Sequence, residues 1–221
     1  MALTLVIGPM FSGKSSFLLN WALSRQKVFT FKHKSDDRYG PDVTTHSGSS
    51  RPCEYLASSF AGAFQAFLAF AESEETRLLD EAWQKENQDR IPDFVSQPSL
   101  HELALAENPD WFPDPSLYSI VIDEAHLFKD TQAVDMFLKM GCDVVAAGLA
   151  GGTLGSPLTS MSSLLGKATT LHHLHAVCGF CGADDASFTA DLAPDPATYI
   201  GGSERYKPAC YRCRFRAELN V

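Results

Sequence analysis

The stretch GPMFSGKSS, Gly8 to Ser16, carries the first residues whose types and spacing imply chemistry. It fits G-x-x-x-x-G-K-[ST] from Gly8 to Ser15, with Pro9, Met10, Phe11 and Ser12 leading to Gly13. The glycines let backbone N–H groups crowd around an anion, and a helix starting behind them adds partial positive charge. In such a loop Lys14 reaches the β and γ phosphates of a nucleoside triphosphate, and the Ser15 hydroxyl holds Mg²⁺. A second set is VIDEAH, Val121 to His126. Asp123, at the end of an apolar strand, would hold Mg²⁺ opposite the P-loop hydroxyl, and Glu124 beside it can take a proton from an attacking hydroxyl. These residues leave the nucleophile open: water would make an ATPase, and a substrate alcohol would make a kinase. The third set is Cys178, Cys181, Cys210 and Cys213, two C-x-x-C pairs. In a reducing setting they read as a tetrahedral structural Zn²⁺ site ahead of redox cysteines or a disulfide pair. Four thiolates close the shell, so this metal would have no open position for catalysis. Cys53 and Cys142 stand alone and read as packed, inert thiols.

These groups need a scaffold, and the hydrophobic pattern describes one. Leu3 to Ile7, Lys27 to His33, Tyr118 to Ile122 and Asp143 to Leu149 have the character of buried strands. Helices are expected directly after the P-loop and over Thr131 to Met140. Strands alternating with helices predict an α/β fold with a parallel sheet and ligands at the carboxyl ends of its strands. Ser35 to Arg51 is rich in Ser, Asp, Gly and Thr and predicts a loop. Phe60, Phe64, Phe67 and Phe70 recur at helical spacing and predict a packed face. Glu72 to Gln97 is charged and helical in flavour, and prolines follow, so 77–115 reads as a surface excursion. Past Cys178 the composition turns to loop residues around the cysteine pairs. The expected organisation is a P-loop domain over 1–175, including the excursion, then a metal-binding domain over 176–221. His172, His173 and His175 precede the first cysteine and read as strand-end or surface residues, because the thiolate shell is already complete.

The chain has 221 residues, 45% apolar and 20% charged, enough to bury a proper core. Its net charge of −9 argues against a surface built for nucleic-acid phosphates. The letters DEAH, Asp123 to His126, raise the motor core of a helicase, but such motors need two P-loop-like domains and this chain has length for one. No apolar run approaches a membrane span, and the N-terminus lacks a basic-then-apolar signal. A cytoplasmic protein without nucleic-acid or membrane partners is expected.

In order, GPMFSGKSS, DDRYG with a downstream TTH, VIDEAHLF, HAVCGFCG and YIGGSERYKPACYRCR resemble the type II (cellular-type) deoxythymidine kinases. The resemblance implies a RecA-like α/β domain and a small zinc-anchored lasso that closes over a nucleoside. It implies transfer of the γ-phosphate of Mg²⁺-bound ATP to a deoxyribose 5′-hydroxyl, a homotetramer, and inhibition by the triphosphate end product. Carried over residue by residue, it makes Glu124 the general base and Arg38 the cation beside the transferred phosphoryl group, with Asp36 or Asp37 near the metal. It puts Tyr206 beside the nucleoside, Gly201 and Gly202 at the bend of the lasso, Thr189 near the base, and Ile200 among the substrate residues. His126 stands where the family has glutamine. The family's phenylalanines around the base are matched by Leu127, Thr153 and Leu158, and its aspartate after the AGL strand by Ala150. A looser hold on thymidine, with tolerance for deoxyuridine, is therefore expected. The alternative is a P-loop nucleotide-binding or ATPase protein with altered or lost nucleoside specificity.

Overall fold

The computed structural model describes residues 1–45, 47–87, 114–152, 156–192 and 201–218. Thr153 and Ile200, His46 of the TTH run, and most of the expected excursion lie outside the described residues. Contacts divide the chain into one unit of Met1–Phe64 with Ser116–Val221 and another of Gln65–Pro115.

In the first unit the chain runs β1 (Leu3–Ile7), α1 (Lys14–Leu23), β2 (Lys27–His33), β3 (Arg38–Pro41), β4 (Val43–Thr44), β5 (Ser50–Arg51) and β6 (Tyr55–Ala57). After the start of α2 (Phe60–Asn87) it continues with β7 (Tyr118–Asp123), α3 (Val134–Lys139), β8 (Asp143–Gly148), α4 (Thr159–Leu165) and β9 (Thr170–His173). It closes with β10 (Phe188–Asp191), β11 (Tyr206–Ala209) and α5 (Tyr211–Glu218). Six strands form a parallel sheet in the order β6-β2-β7-β8-β1-β9. Central strands of a parallel sheet are covered on both faces, which is why they are near-continuous apolar runs; all six residues of β7 are buried. On one face, Leu18 and Ala22 of α1 pack with Val6, Val28, Val121, Val145 and Ala147. Elsewhere in the core, the Phe31 ring meets those of Phe60, Phe128 and Phe137.

The register brings the functional ends together. Ile7 lies beside Gly148, Ile122 beside Ala146 and Lys32 beside Asp123, so β1, β8, β7 and β2 finish at one edge of the sheet. Only β8 separates the P-loop strand from the strand that ends in Asp123. This is the RecA-like α/β arrangement. Two strands differ from the sequence expectation by being present: β6 and β9 are edge strands of three and four residues with largely exposed side chains. His172 and His173 lie on β9. Ser35 to Arg51, expected as loop, holds β3 and a small antiparallel β4–β5 hairpin. The segment expected as one helix from Thr131 begins as a 3₁₀ turn, Thr131–Ala133, before α3. The C-terminal lobe is an antiparallel β10–β11 hairpin with a small core of Ala176, Cys178, Ala186, Cys210 and Cys213.

In the second unit α2 runs on past Phe67 and Phe70 and through the charged residues as far as Asn87, with Arg77 ion-paired to Glu74 and Glu81 one turn to either side. No helix among the described residues is long and apolar enough to cross a membrane.

Candidate active site

The P-loop is closed by glycine at two places. A Cβ on Gly8 would come within 2.5 Å of Ser12 Oγ and 2.6 Å of the Leu174 carbonyl oxygen. Gly13 sits in the left-handed region at φ 84° and opens α1 with no side-chain cap. The orphan N–H groups of the first helical turn are therefore available to an anion. Lys14 is buried, and its Nζ donates to the carbonyls of Gly8 at 3.2 Å and Pro9 at 2.7 Å. Burial pushes its pKa below the ordinary lysine value, against the pull of Glu124 and Asp123.

Arg38 draws the acidic groups together. Its Nε donates to Asp36 Oδ1 at 2.5 Å and its guanidinium pairs with a Glu124 carboxylate oxygen. Burial works against the Arg38 charge, but Glu124 and Asp36 outweigh it and lift its pKa. For Glu124, burial favours the neutral acid; the positive charges of protonated His126, Arg38 and Lys14 reverse this and hold the carboxyl below its ordinary range. His126 Nδ1 lies 3.3 Å from Glu124 Oε2 and 3.4 Å from the Leu149 amide nitrogen, and burial lowers its pKa. Asp123 behaves oppositely to its neighbour. Burial, followed by the charge of Glu124, pushes it up to about 7.

Lys14, Ser15, Asp36, Arg38, Asp123 and Glu124 all border a small chamber of about 60 Å³. Ser15, Asp36 and Asp123 offer hard oxygen donors there, next to the cations of Lys14 and Arg38, and this is a donor set that fits Mg²⁺ beside phosphate. A second cavity of about 860 Å³ adjoins it, lined among others by His126, Leu127, Leu158, Thr189, Gly201 and Tyr206. Met10, Lys14, Asp36, Arg38 and Glu124 border both spaces. Of the expected substrate residues, all five that are described therefore line one cavity.

Sequence patterns did not single out Lys32 or Phe128. Lys32 is almost fully buried on β2, 3.5 Å from Asp36 Oδ2, and donates to the carbonyls of Gly40 at 2.7 Å and Asp42 at 3.1 Å. It ties the Arg38 segment to the sheet. The available signal was a lysine inside the apolar run VFTFKH. Phe128 lines the larger cavity two residues after His126.

In the C-terminal lobe the sulfurs of Cys178, Cys181, Cys210 and Cys213 all lie within 4.8 Å of one another. Tetrahedral zinc with Zn–S bonds of about 2.3 Å needs sulfurs about 3.8 Å apart, and Cys181 and Cys210 stand at 3.7 Å. Burial opposes the Cys178 thiolate, but backbone N–H groups of Cys210, Phe180 and Cys181 outweigh it and lower the thiol to about 6. The ligand set and spacing are those of a structural zinc site. This lobe also touches the P-loop directly: Thr189 Oγ1 on β10 accepts the Met10 N–H at 3.0 Å.

A family model described as thymidine kinase matches residues 1–83 and 99–214. The chain belongs to the thymidine kinase family. It is 31% identical over 231 residues to a thymidine kinase of Deinococcus radiodurans, covering 99% of this chain and 92% of that one. It is 27% identical over 219 residues to that of Pseudothermotoga lettingae, covering 96% and 93%. With the thymidine kinase of raccoon poxvirus the identity is 27% over 215 residues, covering 95% and 94%. The family match breaks between 83 and 99, inside the second unit.

Proposed function

We propose that the protein is a deoxynucleoside kinase, an ATP:thymidine 5′-phosphotransferase, acting on thymidine or deoxyuridine. The observation that carries this reading is the position of Glu124 where the phosphate chamber meets the larger cavity. An ATPase needs room only for water at that junction; a kinase needs a space for an organic alcohol beside a carboxylate. Family membership points the same way.

In this reading the triphosphate lies along the P-loop, and Lys14 exchanges the carbonyls of Gly8 and Pro9 for phosphate oxygens. Ser15, Asp123 and Asp36 would hold Mg²⁺, which supplies positive charge to the phosphates when bound. The nucleoside occupies the larger cavity with its 5′-hydroxyl toward Glu124. As the 5′-oxygen bonds to the γ-phosphorus, the bond from that phosphorus to the β,γ-bridging oxygen breaks. The hydroxyl proton passes to Glu124, and ADP leaves. Arg38 must release Glu124 to neutralise the transferred group, and the same movement frees the carboxylate to accept the proton. We carry over the homotetramer and the cytoplasmic setting from the family resemblance. The base pocket keeps the rings of His126, Phe128 and Tyr206 on its wall but has Leu127 and Leu158 at positions where the family has phenylalanine, so thymidine should be held more loosely.

The test is purified protein with labelled ATP and a panel of deoxynucleosides. Labelled thymidine or deoxyuridine monophosphate is the expected product. Release of inorganic phosphate that ignores every nucleoside would overturn the reading in favour of an ATPase.

A further inference from the structure

The neck of the β10–β11 hairpin carries an ion pair that the mechanism does not use. Arg205 Nε lies 3.0 and 3.1 Å from the two Asp191 carboxylate oxygens, and its terminal nitrogen lies 2.8 Å from Oδ2. The two side chains are only 11% and 9% exposed. The Leu192 N–H donates to the Arg205 carbonyl at 2.8 Å, which closes the strands at the same level. Neither residue is among the described groups lining the larger cavity, but their neighbours are. Asp191 pairs across the hairpin with Tyr206. A Cβ on Gly201 would come within 3.0 Å of Arg205 Cδ and 3.2 Å of Tyr206 Cε2, so the Gly201 backbone rests against both. The guanidinium carbon lies 5.1 Å from the Tyr206 ring centroid.

We propose that Arg205 and Asp191 act as a positioning clamp for the deoxynucleoside, holding Tyr206 and Gly201 at the cavity wall. The inference rests on the reading of this cavity as the nucleoside site. A planar guanidinium gripping both carboxylate oxygens fixes direction as well as distance, and an ammonium group cannot copy it. The stem that the grip immobilises is the surface on which Gly201 and Tyr206 pack. The clamp therefore acts chiefly on nucleoside affinity; the contact of β10 with the phosphate loop, the Met10 N–H on Thr189, lies two residues before Asp191 and does not use the ion pair.

The test compares the full zinc-loaded chain with Arg205→Ala, Arg205→Lys and Asp191→Asn, by thymidine calorimetry and steady-state kinetics. We expect Arg205→Ala to raise the thymidine Kd and KM about tenfold or more, with kcat and the KM for ATP nearly unchanged. Arg205→Lys, which keeps the charge but loses the fork, should fall between. Wild-type affinity in Arg205→Ala overturns the clamp. So does a joint loss of kcat, ATP affinity and zinc, the mark of a merely structural pair. If Arg205→Ala does not fold, Arg205→Lys and Asp191→Asn decide by the same split between thymidine and ATP. A wild-type chain that binds no deoxynucleoside overturns the site reading and the clamp with it; tight wild-type binding that the variants share overturns the clamp alone.

Discussion

Glu124→Gln separates positioning from proton transfer more cleanly than any other single change. The side chain keeps its length and its place between Arg38 and His126, and it loses the charge that would accept the hydroxyl proton. A positioned general base contributes roughly 10²–10⁴ in rate, so kcat should fall by about that factor. ATP binding should survive, because Lys14, Ser15 and the loop backbone are untouched. The change also removes the charge that, after burial, does most to raise Asp123, so the second carboxylate should ionise more readily. Arg38 keeps Asp36 as its partner. The assay is steady-state turnover of thymidine at saturating ATP, alongside calorimetric ATP binding. A kcat within a few-fold of wild type would remove Glu124 from the mechanism, and loss of ATP binding would mean that it supports the chamber.

Other outcomes follow from the same geometry. Lys14→Ala should weaken ATP binding itself by about ten- to a hundredfold, the scale of a lost charge-assisted hydrogen bond, as read by calorimetry. Leu158→Phe restores a ring on the cavity wall; a stack worth roughly 0.5–1.5 kcal/mol should lower thymidine KM by up to about tenfold with little change in kcat. Unchanged or abolished binding would show that this wall does not face the base. In the nucleotide-free protein an NMR titration should find Glu124 ionised from about pH 8 down to about pH 6, because the charges facing it outweigh burial and hold the carboxyl below its ordinary range; a Glu124 transition centred near neutrality would contradict this. Cys210→Ser should lose zinc in native mass spectrometry and weaken ATP binding as well, up to about tenfold for one lost hydrogen bond, since β10 carries Thr189 to the Met10 N–H. Undiminished ATP affinity in the metal-free protein would show that the lobe and the P-loop are uncoupled.

Much of this architecture was legible because its determinants are local. β1 and β2 begin and end at the residues the apolar runs predict, and β7 and β8 end within one residue of expectation. Buried parallel strands have few other ways to be written. The phosphate loop, the Asp123–Glu124 pair and the cysteine pairs are likewise short-range patterns. What escaped has no local signature. Three-residue β6 and four-residue β9 lie at sheet edges and show no period. The Arg38–Glu124 pair joins residues 86 apart in sequence, and the Thr189–Met10 contact joins residues 179 apart. Lys32 was readable as an oddity in a strand, but its two carbonyl partners come from a segment whose short strands were expected to be loop.

One local detail decides whether the Asp123–Glu124 pair can work at all. Successive side chains of a strand point to opposite faces of the sheet, so two carboxylates in a continuing β7 would serve different sides. The strand ends at Asp123, and Glu124 takes the left-handed conformation, φ 51° and ψ 40°. That costs a residue with a Cβ about 1–2 kcal/mol. The turn is held by the Glu124 N–H on Asp123 Oδ1 at 2.9 Å and by the 3₁₀ turn Ala125–Leu127 that follows. The alternation is broken there, and both carboxylates border the phosphate chamber. Phe11 is the other non-glycine residue with positive φ among those described, at 64°, and it follows Met10, whose N–H is taken by Thr189. Strain of this kind persists only where surrounding structure over-determines it. Here Arg38 and His126 hold one strained residue and the cysteine lobe braces the other. Both lie at the carboxyl edge of the sheet, where the two halves of the site meet.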